Sequence, residues 1–294
     1  MPSRSALTCI AIVLYLFVYH AARGAAPVLP TRFTVEVTGK GLDVILIPGL
    51  SCSREVYRPL AAVLSQHYRL HLVQINGFAG QPAGPNANGP FLAPVEAELA
   101  GYIEQNHLNR PAVIGHSIGG LLGIMLSADH PSDVGKLLLV DSLPFFAVIF
   151  NPSATVETMK PQAAAMQSQL IDMSDEDFSK AQPVMLGSMV ESPDGLKQAT
   201  RWALESDRKV VAQATYDDLT TDMRPRLTSI RAPIALIYPW EPALGTKEQV
   251  DSFYITQYAG AAIFTSRRIE GSQHFIMFDQ PQLFADAVST FLQG

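Results

Sequence analysis

Ala112-Val113-Ile114-Gly115-His116-Ser117-Ile118-Gly119-Gly120 is the stretch on which the reading of this chain turns. Three apolar residues read as the end of a buried strand, and Ile118 to His130 reads as a helix. A serine between glycines at a strand-to-helix turn is held in a sharp bend, and the glycines keep neighbouring backbone clear of its hydroxyl. The helix start offers the Ile118 N–H to a developing negative charge. A lone G-x-S-x-G arises by chance often enough to carry little. The strand before it and the helix after it make Ser117 a candidate nucleophile.

Outward from that turn, short apolar runs alternate with helix-like segments. Asp43 to Ile47, Tyr68 to Ile75, Pro111 to Ile114, Lys136 to Val140 and Pro233 to Tyr238 predict buried parallel strands. Glu55 to Gln66, Val95 to Asn106, Lys247 to Tyr258 and Gln282 to Leu292 predict further helices. The alternation predicts an α/β chain, a mostly parallel sheet covered by helices on both faces, with Phe33 to Val37 as an antiparallel edge. Two stretches break the rhythm. Residues 76–94, rich in Gly, Pro and Asn, predict a long surface loop beside a site at the carboxyl ends of the strands. Residues 142–231 hold no strand-like run and predict a helical cap between two late strands, leaving 27–141 and 232–294 as the core.

A serine hydroxyl is a poor nucleophile until a base takes its proton. His274, after a short strand and before the last helix, is the candidate base. His67 and His71 flank or enter an early strand, His107 and His130 end helices, and His116 is fixed beside the serine. A second oxyanion donor is expected from Pro48-Gly49-Leu50-Ser51, at the amide of Leu50, where Gly49 permits a tight turn. Cys52 reads as a small buried thiol, since no Cys-His signature surrounds it. The His and acidic residues form no ligand-spaced cluster, which speaks against a metal.

Composition narrows the partners. The 294 residues are 48% hydrophobic and 16% charged, enough to bury a sizeable core, and the net charge of −6 comes with no basic run. Nucleic acid, which needs a basic face, is not expected as a partner. Residues 1–26 combine Arg4, an uncharged apolar stretch from Ala6 to Tyr19 and a small-residue exit, the pattern of a secretory signal too short to span a bilayer. Export to a periplasmic or extracellular location is the expectation, with no membrane span after processing.

Ile45 to Leu50, Val113 to Gly120, Leu137 to Asp141, Arg231 to Tyr238 and Gly271 to Pro281 together resemble the α/β-hydrolase superfamily with a helical cap, in its serine esterase and proline-iminopeptidase-like branch. The resemblance covers nearly the whole chain after the leader, the cap excepted. It implies a Ser-His-acid triad, no cofactor and hydrolysis of an ester or related acyl bond through an acyl-enzyme. The expected substrate is a small or medium apolar ester; an amidase, lactonase or aminopeptidase would use the same machinery. A hydrolase-like small-ligand binding protein and an acyltransferase are the alternatives. Members usually carry the acid in a G-x-x-D turn, whereas this chain reads Tyr238-Pro239-Trp240-Glu241-Pro242. Glu241 stands nearest that place and is the first choice, Asp141 the alternative used by some members, and Asp251 a distant third. The five cap methionines, Met159, Met166, Met173, Met185 and Met189, would line an apolar wall or form the cap's own core.

Overall fold

The computed structural model describes residues 30–294. The secretory signal expected over residues 1–26 lies outside these residues. Among them, seven strands form one sheet: β1 (Phe33–Gly39), β2 (Leu42–Ile47), β3 (Tyr68–Ile75), β4 (Ala112–His116), β5 (Lys136–Val140), β6 (Ile234–Trp240) and β7 (Phe264–Glu270). Their order is β1-β3-β2-β4-β5-β6-β7. β1 pairs antiparallel with β3, and the other pairings are parallel.

Successive residues of a strand face opposite sides, and the core divides accordingly. Ile45, Ile47 and Val113 join one cluster, with Leu99 of α2 (Leu92–Gln105), Leu121 of α3 (Ile118–Asp129) and Tyr258, just past α8 (Lys247–Gln257). Val44, Leu46 and Ile114 join the opposite cluster, with Leu60 of α1 (Arg58–Leu64) and Val288 of α10 (Pro281–Gln293). The central strands are continuous apolar runs because helices cover both faces.

The chain between β5 and β6 is helical: α4 (Val156–Asp172), α5 (Asp175–Leu186), α6 (Pro193–Glu205) and α7 (Arg208–Thr220). Thr155, Ser174, Ser192 and Asp207 cap their N-termini with side-chain oxygens. Met159 is buried in a small cluster with Phe145, Ala163 and Leu219, and Met166 packs against it. Met185, by contrast, is half exposed. The methionines therefore do not form a single wall.

Two expectations change. Residues 76–94 are not simply a surface loop, since Phe78 and Phe91 are completely buried and stack at 5.5 Å. The start of α7 holds this stretch, with the Asp207 N–H donating to Gly77 O at 2.7 Å. Helix α2 begins at Leu92 rather than Val95 because Asp217 of α7 accepts the N–H groups of Phe91 (2.6 Å) and Leu92 (3.0 Å). That cap comes from a residue more than a hundred positions away, so no local signal announces it.

Candidate active site

Chain order reverses direction across the sheet between β2 and β4, and the loops leaving their carboxyl ends meet there, as at the ligand crevice of open α/β sheets. Ser117 sits at the tip of the β4–α3 turn with φ 55° and ψ −128°, a conformation costing about 1–3 kcal/mol for a non-glycine residue. Its neighbours hold it there. A Cβ on Gly115 would lie 2.3 Å from Gly119 O, one on Gly119 2.4 Å from Ile47 O, and one on Gly120 2.5 Å from the Ser142 side chain. The glycines let helix and strand approach closely enough to force the bend.

The Gly49 loop closes on the same turn. A Cβ on Gly49 would meet the Ser117 Cβ at 3.2 Å and His116 Nδ1 at 2.8 Å. Gly49 O accepts the Cys52 N–H at 3.1 Å, so Leu50 and Ser51 (φ 59°) are the corners of a tight turn. Such a turn does not use the Leu50 N–H. Among the described residues neither that N–H nor the Ile118 N–H donates to another group of the chain. Cys52 is buried, and burial pushes its thiol up to about 12, which leaves it unreactive.

His274 lies beside the turn. Its ring centroid is 4.5 Å from that of His116, and His116 Nε2 bonds the His274 carbonyl at 3.1 Å. The carbonyl is an acceptor only, so His116 Nε2 carries the proton. Burial of His116, reinforced by the neighbouring imidazole, holds it well below the usual histidine range and hence neutral. Among the described residues no hydrogen bond joins the Ser117 hydroxyl to His274. The hydroxyl turns on a single bond, and such contacts often tighten only with substrate bound.

The acid bonded to His274 is Asp141, with Nδ1 and Asp141 Oδ2 2.6 Å apart. Asp141 follows β5 with φ 42°, a bend that carries its carboxylate over the strand ends. The other oxygen, Oδ1, accepts the hydroxyl of Tyr254, whose ring stacks on Tyr238 at 4.5 Å. Sequence reasoning missed Tyr254, because nothing local distinguishes it from other residues of α8.

Glu241, the first-choice acid, does not contact His274. Strand β6 continues through Pro239 and Trp240, paired with Ile269 and Glu270, instead of turning as the G-x-x-D pattern does. Glu241 therefore leaves the sheet one step too far along and lines a separate surface cleft with Glu191 and Asp279. The adjacent Glu191 carboxyl, followed by desolvation, raises it above the usual range. Asp251 is engaged elsewhere, paired with Arg268 and accepting the Tyr238 hydroxyl at 2.7 Å.

Residues 44–287 match the Alpha/beta hydrolase family. This chain belongs to that family. The RutD protein of Yersinia enterocolitica is 33% identical to this α/β-hydrolase over 113 residues, 37% of this chain and 40% of that protein. The pimeloyl-[acyl-carrier protein] methyl ester esterase of Aeromonas hydrophila is 24% identical over 266 residues, 88% of this chain and 98% of that one. A thermophilic esterase from Thermogutta terrifontis superposes with a TM-score of 0.75 at 16% identity, covering 92% and 98% of the two chains.

The hydrolase has one further acid near this centre. Asp218 lies on the face of α7 that carries Val211 and Ala214 into the same core cluster as Ile118. Burial pushes its carboxyl up to about 7, against the opposing pull of the His274 charge. An acid raised on folding favours the folded chain when protonated, so stability is complete below about pH 4 and is lost as pH rises towards 7. Asp218→Asn is expected to match the wild type near pH 3 and exceed it at pH 8, by at most about 4 kcal/mol. Partial exposure of the side chain reduces that bound. Urea unfolding at the two pH values measures the difference.

Proposed function

We propose that this hydrolase cleaves small, apolar carboxylic esters through an acyl-enzyme. Ser117 Oγ attacks the ester carbonyl while its proton passes to His274 Nε2. The same proton is then delivered to the departing alkoxide. Water, deprotonated by His274, then attacks the acyl carbon; the Ser117 Oγ–acyl bond breaks, the proton on His274 passes to Oγ, and the carboxylic acid leaves. The bond from His274 Nδ1 to Asp141 carries the reading, since a donated Nδ1–H leaves Nε2 bare and able to accept. The unused amides of Leu50 and Ile118 would hold the oxyanion. The Aeromonas hydrophila relative, aligned over nearly its whole length, is named for a methyl ester, which supports an ester rather than an amide.

Turnover of p-nitrophenyl acetate and butyrate, together with fluorophosphonate modification mapped to Ser117, tests the proposal. Modification without turnover of any ester would overturn hydrolysis and favour a ligand-binding protein. Product from an added alcohol exceeding hydrolysis would make the chain an acyltransferase.

The hydrogen bond from Tyr254 to Asp141 supplies a finer test. Tyr254→Phe leaves Asp141 Oδ1 without that donor and is expected to lower kcat on the order of 10-fold with KM little changed. Steady-state kinetics on p-nitrophenyl butyrate reads both constants.

A further inference from the structure

The loop that carries His274 is fastened to the helical insertion as well as to the sheet. On the sheet side, the Gly271 N–H donates to Trp240 O at 2.8 Å, and the Ser272 hydroxyl donates to Ile269 O at 2.9 Å. On the other side stands the Asp279 carboxylate, at the end of the short helix α9 (Ile276–Asp279). It accepts three main-chain N–H groups. Oδ1 takes those of Glu191 and Ser192, and Oδ2 takes that of Gln273, each at 2.9 Å.

Glu191 and Ser192 belong to the connection between α5 and α6, so two of the three donors come from the insertion. Beyond His274, the Phe275 N–H donates to Met189 O at 3.1 Å in the same connection. The residues before and after His274 are thus both tied to residues 189–192, one through a carboxylate and one directly. The Gln273 side chain adds a third tie, donating to Glu191 Oε1 at 2.7 Å. Among the described residues no Lys or Arg pairs with Asp279, although Glu191 and Glu241 line the same cleft. Its negative charge is met by main-chain dipoles alone, in charge-assisted bonds about twice as strong as neutral ones.

We propose that Asp279 is a positioning residue for His274, through which the seating of residues 189–192 sets the imidazole against Asp141 and the Ser117 turn. This rests on His274 acting as the base of the proposed reaction. Asp279 touches no reacting atom. Its effect arises because a base displaced by about 1 Å loses on the order of 10²-fold in rate.

Asp279→Ala and Asp279→Asn in the full chain test it. The readouts are the fluorophosphonate rate per folded site, kcat and KM for p-nitrophenyl butyrate, and the downfield proton resonance of the His274 Nδ1–H bonded to Asp141. Thermal unfolding gives the folded fraction. The alanine variant is expected to lose on the order of 10- to 10²-fold in kcat and in modification rate together, with KM within about 2-fold, and its resonance shifts or broadens. Asparagine keeps one acceptor oxygen and falls between, and it carries the test if alanine does not fold. An unchanged resonance and modification rate in either folded variant would overturn the proposal. So would a loss that tracks the folded fraction alone. If the wild type neither reacts nor turns over esters, the hydrolytic reading falls, while the resonance still reports whether Asp279 places His274.

Discussion

Asp141→Asn is expected to lower kcat for p-nitrophenyl butyrate on the order of 10⁴-fold, whereas Glu241→Gln stays within about 10-fold of the wild type. Asp141 holds His274 through Oδ2 while Oδ1 accepts the Tyr254 hydroxyl. An asparagine there cannot accept on both sides. With its oxygen on the Tyr254 hydroxyl, its NH2 group faces His274 Nδ1 and favours the tautomer whose Nε2 already carries a proton. Such an imidazole cannot take the serine proton. Glu241 accepts from Gln273 Nε2 at 3.1 Å and does not bond His274, so amidation leaves the bond between Asp141 and His274 in place. Single-turnover kinetics on both variants, with circular dichroism as a check on folding, makes the comparison. A loss of that size in Glu241→Gln but not in Asp141→Asn would overturn the arrangement.

Ser117→Ala is expected to cost on the order of 10⁵- to 10⁶-fold in kcat and to abolish fluorophosphonate modification. The fold should survive. Among the described residues the Ser117 side chain has no hydrogen-bond partner, and alanine adopts the same bend at similar cost. Stability should change by less than about 1 kcal/mol in thermal unfolding. The double variant with Asp141→Asn should be no slower than Ser117→Ala alone, because residues acting as one unit lose their effect together. Residual turnover above a few per cent in Ser117→Ala would remove it as the nucleophile.

Much of the scaffold was legible in the residues. The alternation of apolar runs with helical segments predicts the parallel sheet, and Phe33 to Val37 falls within the antiparallel edge strand β1. The long stretch without a strand-like run is helical throughout its regular elements. The turn around Ser117 was legible because its requirement is steric and local, satisfied by glycines adjacent in the chain. His274 stands out as the candidate base because its rivals sit at helix ends, in strands or beside them.

Which carboxylate bonds His274 was not legible. Glu241 and Asp141 both follow strands, and which one reaches the imidazole depends on how far β6 runs before the chain leaves the sheet. Pairing of Pro239 and Trp240 with β7 settles that, and such pairing is a contact between distant segments. The start of α2, the burial of Phe78 and Phe91, and the hold of Tyr254 on Asp141 share this cause. Each depends on a partner remote in the chain.

By itself, then, the sequence determined what short-range sterics and periodicity can specify: the strands and helices, the strained serine turn, and the class of chain that carries it. Only the tertiary structure decided which acid meets His274, what steadies that acid, and how the helical insertion grips the loop that carries His274. Hydrogen bonds act over about 3 Å, and only folding brings residues more than a hundred positions apart within that range.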